Sequence, residues 1–163
     1  MTKPIIFLDF DGVVNTIYYR QYPRMKHLGN DGWGMYCAMP DDGFVSNRQA
    51  IEWLNELYKK NPYDIVVSST WRLHKDRDCS KILYNSGLSQ EIKILGTTPC
   101  FSGRPRGEEI QAWIDEHNFI GNFVILDDDS DMAHLIDKLV HCDSYLGFTL
   151  HEMNEVESRF ERA

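Results

Sequence analysis

The fold is decided by one stretch near the amino terminus, Ile5-Ile6-Phe7-Leu8-Asp9-Phe10-Asp11-Gly12. Its first four residues are apolar and have the length of a buried parallel strand, and two aspartates follow where that strand would end. Open parallel sheets bind their ligands at the carboxyl ends of the strands. The stretch therefore predicts an α/β protein with an acidic site at one edge of its sheet.

Further apolar runs of strand length alternate with amphipathic segments, which is typical of βαβ units. The expected fold is a Rossmann-like three-layer sandwich with a mainly parallel five-stranded sheet. We predict its strands at residues 4–8, 64–68, 92–95, 122–126 and 139–142. We predict helices over residues 47–60, after Pro105, from about Ser130 and over residues 150–162.

Two local patterns refine these helices. Ser46 and Gln49 are spaced as a capping box for the first helix. In the helix that begins near Ser130, the spacing of Met132, Leu135, Ile136 and Leu139 predicts that these four residues face the core.

Size and charge limit the class of protein. A chain of 163 residues has the size of one domain, so we expect a single domain over residues 1–163. Its net charge of −8 argues against broad affinity for nucleic acid or anionic membranes, so a polyanion would have to be bound locally. The sequence lacks the pattern of a secretory signal, and we expect a cytoplasmic protein without a membrane partner.

Residues 15–44 follow neither a helical nor a strand period, and we predict a flap or small cap insertion after the first strand. Between the third strand and Arg106 only residues 96–105 remain, which excludes a large cap domain there. The flap interleaves aromatic and basic residues, among them Arg20 and Arg24, which we predict to bind substrate. The alternative is a tyrosine-rich hairpin that packs on the body of the protein.

The fourth strand also ends in acidic residues, Asp127-Asp128-Asp129. Carboxylates from two neighbouring strands would repel one another, by roughly 4 kcal/mol for charges about 4 Å apart at an effective dielectric constant of about 20. Protonation or a bound cation relieves this repulsion, and a hard divalent ion such as Mg²⁺ suits oxygen ligands. We interpret Asp129 and Asp131 as turn or capping residues.

Hydroxyl and guanidinium groups are predicted at the same edge. Ser68-Ser69-Thr70-Trp71-Arg72 follows the second strand, and Arg72 is a candidate ligand of a phosphoryl group. Arg106 stands at a helix start, where the helix dipole disfavours a cation, which suggests an anion nearby. Arg104, two residues earlier, is a further candidate for binding substrate.

Four motifs in this order resemble those of the haloacid dehalogenase (HAD) superfamily of phosphotransferases. They are Asp9-Phe10-Asp11-Gly12-Val13-Val14, the serine run, Arg106-Gly107-Glu108-Glu109-Ile110 with arginine for the commoner lysine, and Asp127-Asp128. More narrowly, the chain is similar to the small HAD domain of Swiss Army Knife RNA-repair proteins. This similarity rests on the Ser-Ser-Thr-Trp-Arg run, the Thr98-Pro99 step before Arg106 and the tail from Asp143 to Thr149.

The resemblance implies a magnesium-dependent phosphomonoesterase with Asp9 as nucleophile and Asp11 as acid and base. Ser69, chosen over Ser68 and Thr70 by its distance from Trp71, and Arg106 would bind the phosphoryl oxygens. The implied Mg²⁺ ligands are Asp9, the Asp11 backbone carbonyl, Asp127 and Asp128, the last directly or through water.

The favoured substrate is a single-stranded nucleic-acid end that carries a 3′-phosphate. A nucleotide or a small phosphoester is the alternative substrate, and a catalytically idle module that binds phosphorylated ends is the alternative function.

Overall fold

A computed structural model describes residues 2–16 and 46–162. In this part of the chain five strands form one sheet in the order β3-β2-β1-β4-β5, and each neighbouring pair is parallel. The strands are Ile5–Leu8 (β1), Asp64–Val67 (β2), Ile94–Thr97 (β3), Phe123–Asp127 (β4) and Leu139–His141 (β5). The predicted α/β fold with its parallel sheet is confirmed. Apart from Asn15 and Thr16, residues 15–44 lie outside the described residues.

Helices connect the strands and cover the sheet. The α-helices of the described ranges are Arg48–Lys60 (α1), Cys79–Asn85 (α2), Arg106–Glu116 (α3) and Leu150–Glu161 (α4), and 3₁₀ helices span Thr70–Leu73 and Ala133–Lys138. No helix in residues 2–16 and 46–162 is long and apolar enough to cross a membrane. Between β3 and α3 the chain has only a short loop, as predicted.

The sheet is buried on both faces because its strands are apolar at successive positions. Ile6 and Leu8 of β1 belong to the core cluster that includes residues of α1 and α4, whereas Phe7 belongs to the opposite cluster, with Ile110 and Trp113 of α3. Phe7 meets the Trp113 ring edge to face, at a centroid distance of 5.5 Å. These two cores make the predicted three-layer sandwich.

Two predictions were wrong: the capping box of the first helix and the start of the third strand at residue 92. The cap of α1 is Asn47, whose side chain accepts a hydrogen bond from the Ala50 amide, because its own amide group bonds to the Leu146 carbonyl and fixes it in place. The third strand begins at Ile94, since the Ile92 amide instead closes a turn onto the Ser89 carbonyl.

The helix predicted from Ser130 is instead the 3₁₀ helix Ala133–Lys138. The chain has only this short span between β4 and β5, and Leu139 already belongs to β5. Ile136, predicted to face the core, is therefore 51% exposed, while Met132 and Leu135 are buried.

Candidate active site

Acidic residues from the two central strands meet at the carboxyl edge of the sheet. Asp9 directly follows β1, and its amide donates to the carbonyl of Leu126 in β4 at 3.0 Å. Asp127 is the last residue of β4, and Asp9 and Asp127 are 6% and 1% exposed. Asp9, Asp127 and Asp128 each offer a carboxylate oxygen within 4.8 Å of the other two. The strand order reverses between β1 and β4, where an open α/β sheet binds its ligand.

The charges of these carboxylates are strongly disfavoured in the protein alone. Burial raises the pKa of Asp9 to about 6, against the opposing effect of Arg106. Burial, reinforced by the neighbouring Asp9, raises the pKa of Asp127 to about 8. The pKa of Asp128 is also raised, chiefly by burial. A cation at this position would reverse all three shifts.

The donor set fits a hard divalent cation such as Mg²⁺, which takes carboxylate oxygens. Asp127 Oδ1 accepts from the Asp129 amide at 2.9 Å, whereas its Oδ2 is buried without a hydrogen-bond partner among the described residues. An unpartnered buried oxygen in a group of three carboxylates is the arrangement that a metal ion would satisfy.

Asp11 lies at the same edge, but its carboxylate is held separately. Trp71 Nε1 donates to Asp11 Oδ2 at 3.0 Å, and Asn15 Nδ2 donates to Oδ1 at 2.5 Å. Among the described residues, the group of three carboxylates does not include that of Asp11. Its predicted role as a metal ligand, through its backbone carbonyl, stays a prediction.

Gly12 allows the loop after β1 to approach the acidic group. Its φ is +74°, in the left-handed region that favours glycine, and a Cβ there would lie 2.1 Å from Cγ of Asp128. A larger residue would therefore displace one of the three carboxylates.

Ser69 is the residue of the serine run that contacts Asp9. A hydrogen bond from its hydroxyl lowers the pKa of Asp9. The Ser68 hydroxyl is buried and has no partner among the described residues, and Thr70 is exposed. The geometry thus agrees with the choice of Ser69, whose role toward a phosphoryl group remains a prediction.

Arg106 begins α3 and points at the acidic group. Its Nη1 lies 3.7 Å from Asp9 Oδ1 and, within the described ranges, is buried without a hydrogen-bond partner. Its backbone amide donates to the Asp131 carboxylate at 3.1 Å, and the Asp129 carboxylate accepts from the Ser130 amide. Asp131 thus bonds to the first amide of a helix, which agrees with its capping interpretation, and the turn interpretation of Asp129 stays a prediction.

Arg72 binds backbone carbonyls and a buried carboxylate, whereas the sequence predicted that it would bind a phosphoryl group. It donates through Nε to Thr98, through Nη1 to Ser68 and Ser69, and through Nη2 to Pro99, in each case to a backbone carbonyl. Its Nη2 also donates to Glu109 Oε2 at 2.6 Å. These contacts occupy all five donors of the guanidinium, and its side chain is 4% exposed. Arg72 thus ties the ends of β2 and β3 to α3, with no donor left for the predicted contact with substrate.

Of the remaining predicted substrate ligands, Arg104 alone lies within the described residues. Arg104 is exposed, pairs with Glu108 at 3.3 Å, and lies over the Phe101 ring. Arg20 and Arg24 lie outside the described residues. Their roles stay predictions.

Sequence reasoning missed three polar residues that support the site: Glu109, Trp71 as a donor to Asp11, and Asn15. Glu109 is buried in the first turn of α3, yet the sequence does not tell it apart from the neighbouring Glu108. Its spacing of three residues from Arg106 was the available signal, since such residues face each other on a helix.

The sheet order, the aspartates after β1 and β4, and the arginine at the start of α3 define a HAD-like α/β domain. The sequence profile of the family described as "HAD domain in Swiss Army Knife RNA repair proteins" matches residues 5–153. The chain therefore belongs to this family, as its motifs predicted. Among curated proteins, none matches the sequence.

Proposed function

We propose that this protein is a magnesium-dependent phosphomonoesterase that acts through an aspartyl-phosphate on Asp9. The observation that carries the proposal is the group Asp9, Asp127 and Asp128 beside the unpartnered Nη1 of Arg106. The carboxylates require a cation, and Arg106 Nη1, which lies 3.7 Å from Asp9 without a hydrogen-bond partner among the described residues, can still donate to a phosphoryl oxygen. A phosphate monoester with a divalent metal supplies the cation and the phosphoryl oxygen at one place.

The side chains that would hold Mg²⁺ are Asp9, Asp127 and Asp128, with the Asp11 backbone carbonyl as the further ligand that the family implies. When bound, the ion would neutralise phosphoryl oxygens and favour the ionised form of Asp9. Asp9 contacts both Ser69 and Arg106, so these two groups are well placed to bind the phosphoryl oxygens of a substrate at Asp9.

The chain supplies the groups for a two-step displacement. A carboxylate oxygen of Asp9 forms a bond to phosphorus while the ester P–O bond breaks, and Asp11 gives its proton to the leaving oxygen. Asp11 then takes a proton from the water that attacks the phosphorus, and Asp9 leaves as a carboxylate. The bonds from Trp71 and Asn15 hold the Asp11 carboxylate in place.

Phosphate release from an aryl phosphate tests this activity. We expect Mg²⁺-dependent turnover by the wild type, its loss with a chelator, and a loss of at least about a thousandfold in Asp9→Asn, because the nucleophile is gone. Asp129→Asn is the matched control, since Asp129 is exposed and lies outside the group of three. If no phosphoester is hydrolysed by the wild type, the phosphatase proposal is wrong.

The same experiment separates the phosphatase from a catalytically idle module that binds phosphorylated ends. Both would bind phosphate in the presence of magnesium, but only the enzyme would release phosphate. Asp11 favours the enzyme, because a module that only binds phosphate has no need of an acid and base beside the metal ligands.

The substrate we propose is a nucleic-acid end with a 3′-phosphate. The family description places related domains in RNA-repair proteins, and the sequence after β1 interleaves tyrosines with Arg20, Arg24 and Lys26. Aromatic rings stack on bases while basic groups bind phosphates. A mononucleotide or another small phosphoester is the alternative.

A further inference from the structure

Glu109 is a buried carboxylate that lies between two arginines next to the candidate active site. It is 5% exposed. Its Oε2 accepts from Arg72 Nη2 at 2.6 Å and lies 4.0 Å from Arg106 Nε, while its Oε1 accepts from the Phe101 amide at 2.8 Å. Glu109 takes no part in the proposed displacement at Asp9, yet it is buried next to two cations.

Arg106 offers two separate ends to its surroundings. Its Nε faces Glu109, and its Nη1 faces Asp9 at 3.7 Å. A planar guanidinium can be held at one edge while the other edge binds a ligand, whereas the single ammonium of a lysine cannot do both. Because the N-terminus of a helix disfavours a cation, Arg106 needs an anionic neighbour to stay over the site.

We infer that Glu109 is a positioning residue for phosphate binding, which it promotes by holding the Nε edge of Arg106 so that Nη1 faces the incoming phosphoryl group. The inference rests on the proposed function, in which Arg106 binds phosphate. Arg72 fixes Glu109 from the other side, and its remaining donors bind the backbone around β2 and β3. The carboxylate is thus anchored before substrate arrives.

Calorimetric binding of inorganic phosphate in saturating MgCl₂ tests the inference without requiring turnover. We expect Glu109→Gln to weaken phosphate binding by about tenfold, because a neutral side chain no longer attracts the Nε edge of Arg106 across 4.0 Å. Glu108→Gln is the matched control, because it makes the same change in the same helical turn, where Glu108 pairs with the exposed Arg104. We expect the control to stay within about twofold of the wild type, as for an exposed ion pair.

A double-mutant cycle shows whether the effect passes through Arg106. Arg106→Lys should weaken phosphate binding by itself, and adding Glu109→Gln to it should cause no further loss, since lysine has no second edge to hold. A merely structural role of Glu109 would weaken binding equally in both backgrounds, which would overturn the inference. An effect of Glu108→Gln as large as that of Glu109→Gln would overturn it as well.

Thermal unfolding must show that each variant is folded. If Glu109→Gln does not fold, Glu109→Asp takes its place, because it keeps a charge beside Arg72 and should show the same coupling to Arg106→Lys. A wild type that binds phosphate but hydrolyses no phosphoester would contradict the proposed function while the coupling still decides the role of Glu109. A wild type that binds no phosphate would overturn the inference.

Discussion

Asp127 shows most directly how the fold opposes the ionisation of its own site. The residue ends a central strand, so the sheet that positions its carboxylate also removes it from water. Its pKa rises to about 8 and that of Asp9 to about 6. In the metal-free protein the acidic group therefore retains protons near neutral pH, and metal binding should release them.

The raised pKa of Asp127 makes the stability of the metal-free protein depend on pH. Because the pKa of Asp127 is raised from 3.8 to about 8, the folded state binds more protons than the unfolded state between about pH 4 and 8, and the free energy of unfolding falls as pH rises. Asp127→Asn removes this titration. With a chelator present, we expect the free energy of unfolding of the variant to exceed that of the wild type at pH 8 by on the order of a few kcal/mol. At pH 5 we expect a much smaller difference.

Urea denaturation at the two pH values measures this difference. Asp129→Asn, an exposed neighbour, should change stability little at either pH. A stability difference between Asp127→Asn and the wild type that is the same at pH 5 and pH 8 would contradict the assigned titration.

The indole of Trp71 holds the Asp11 carboxylate through a hydrogen bond, and a single substitution tests this contact. Trp71→Phe keeps a ring but removes the Nε1 donor to Asp11, so the acid that protonates the leaving oxygen is held less well. We expect kcat/KM to fall about tenfold for an alkyl phosphate, which needs an acid, and much less for an aryl phosphate with an acidic leaving group. Trp53→Phe, distant in the sequence and packed against the core, is the control. Equal losses on both substrates would show that Trp71 does not act through Asp11.

The first turn of α3 combines the contacts that place Arg106. Its Gly107 amide donates to the Asp131 carbonyl, and a Cβ on Gly107 would lie 1.9 Å from the Met132 carbonyl oxygen. The helix start therefore packs directly on the backbone that follows β4. This position of the helix requires glycine, because the close approach leaves no room for a side chain.

Gly107→Ala tests this packing through the sign of its effect. By helix propensity alone, alanine would stabilise the helix by about 1 kcal/mol. Because the clash is with backbone, we expect instead a loss of at least about 2 kcal/mol in the free energy of unfolding, together with lower activity. Glu108→Ala, the next residue along the helix, should cost far less in chemical denaturation. A Gly107→Ala variant as stable as the wild type would refute the contact.

Over the chain as a whole, the net charge of −8 requires that a nucleic acid be bound by local groups. If the substrate is the nucleic-acid 3′-phosphate proposed above, we expect faster turnover of a 3′-phosphorylated oligonucleotide than of a 5′-phosphorylated one or a mononucleotide. Arg20→Ala with Arg24→Ala should slow oligonucleotide turnover several-fold, by the loss of phosphate contacts, and spare an aryl phosphate.

Rates of phosphate release on the three nucleic-acid substrates and on the aryl phosphate measure both effects. Equal rates on all three nucleic-acid substrates would contradict the proposed substrate. Parallel losses on the oligonucleotide and the aryl phosphate would point to general destabilisation instead.

Most of the fold was predictable because apolar strands and amphipathic helices are local patterns. The acidic site at the carboxyl ends of β1 and β4 was predictable as well, because Asp9 and Asp127 stand at the ends of apolar runs in the sequence. The predictions were wrong where tertiary contacts decided the local structure. Asn47 caps α1 in place of the predicted capping box, and Leu139 belongs to β5 and not to the predicted helix. Each of these depends on contacts between residues far apart in the chain.

By itself, the sequence determined the strand ends, the family motifs and the residue types at the site, because these are properties of short segments. Only the tertiary structure decided which polar groups meet. It placed Arg72 on Glu109 and backbone carbonyls, brought Arg106 Nη1 to 3.7 Å from Asp9 without a hydrogen-bond partner among the described residues, and bonded Trp71 to Asp11. These partnerships arise when α3 and the loop after β2 pack over the sheet edge, and burial there decides both the partners and the pKa values.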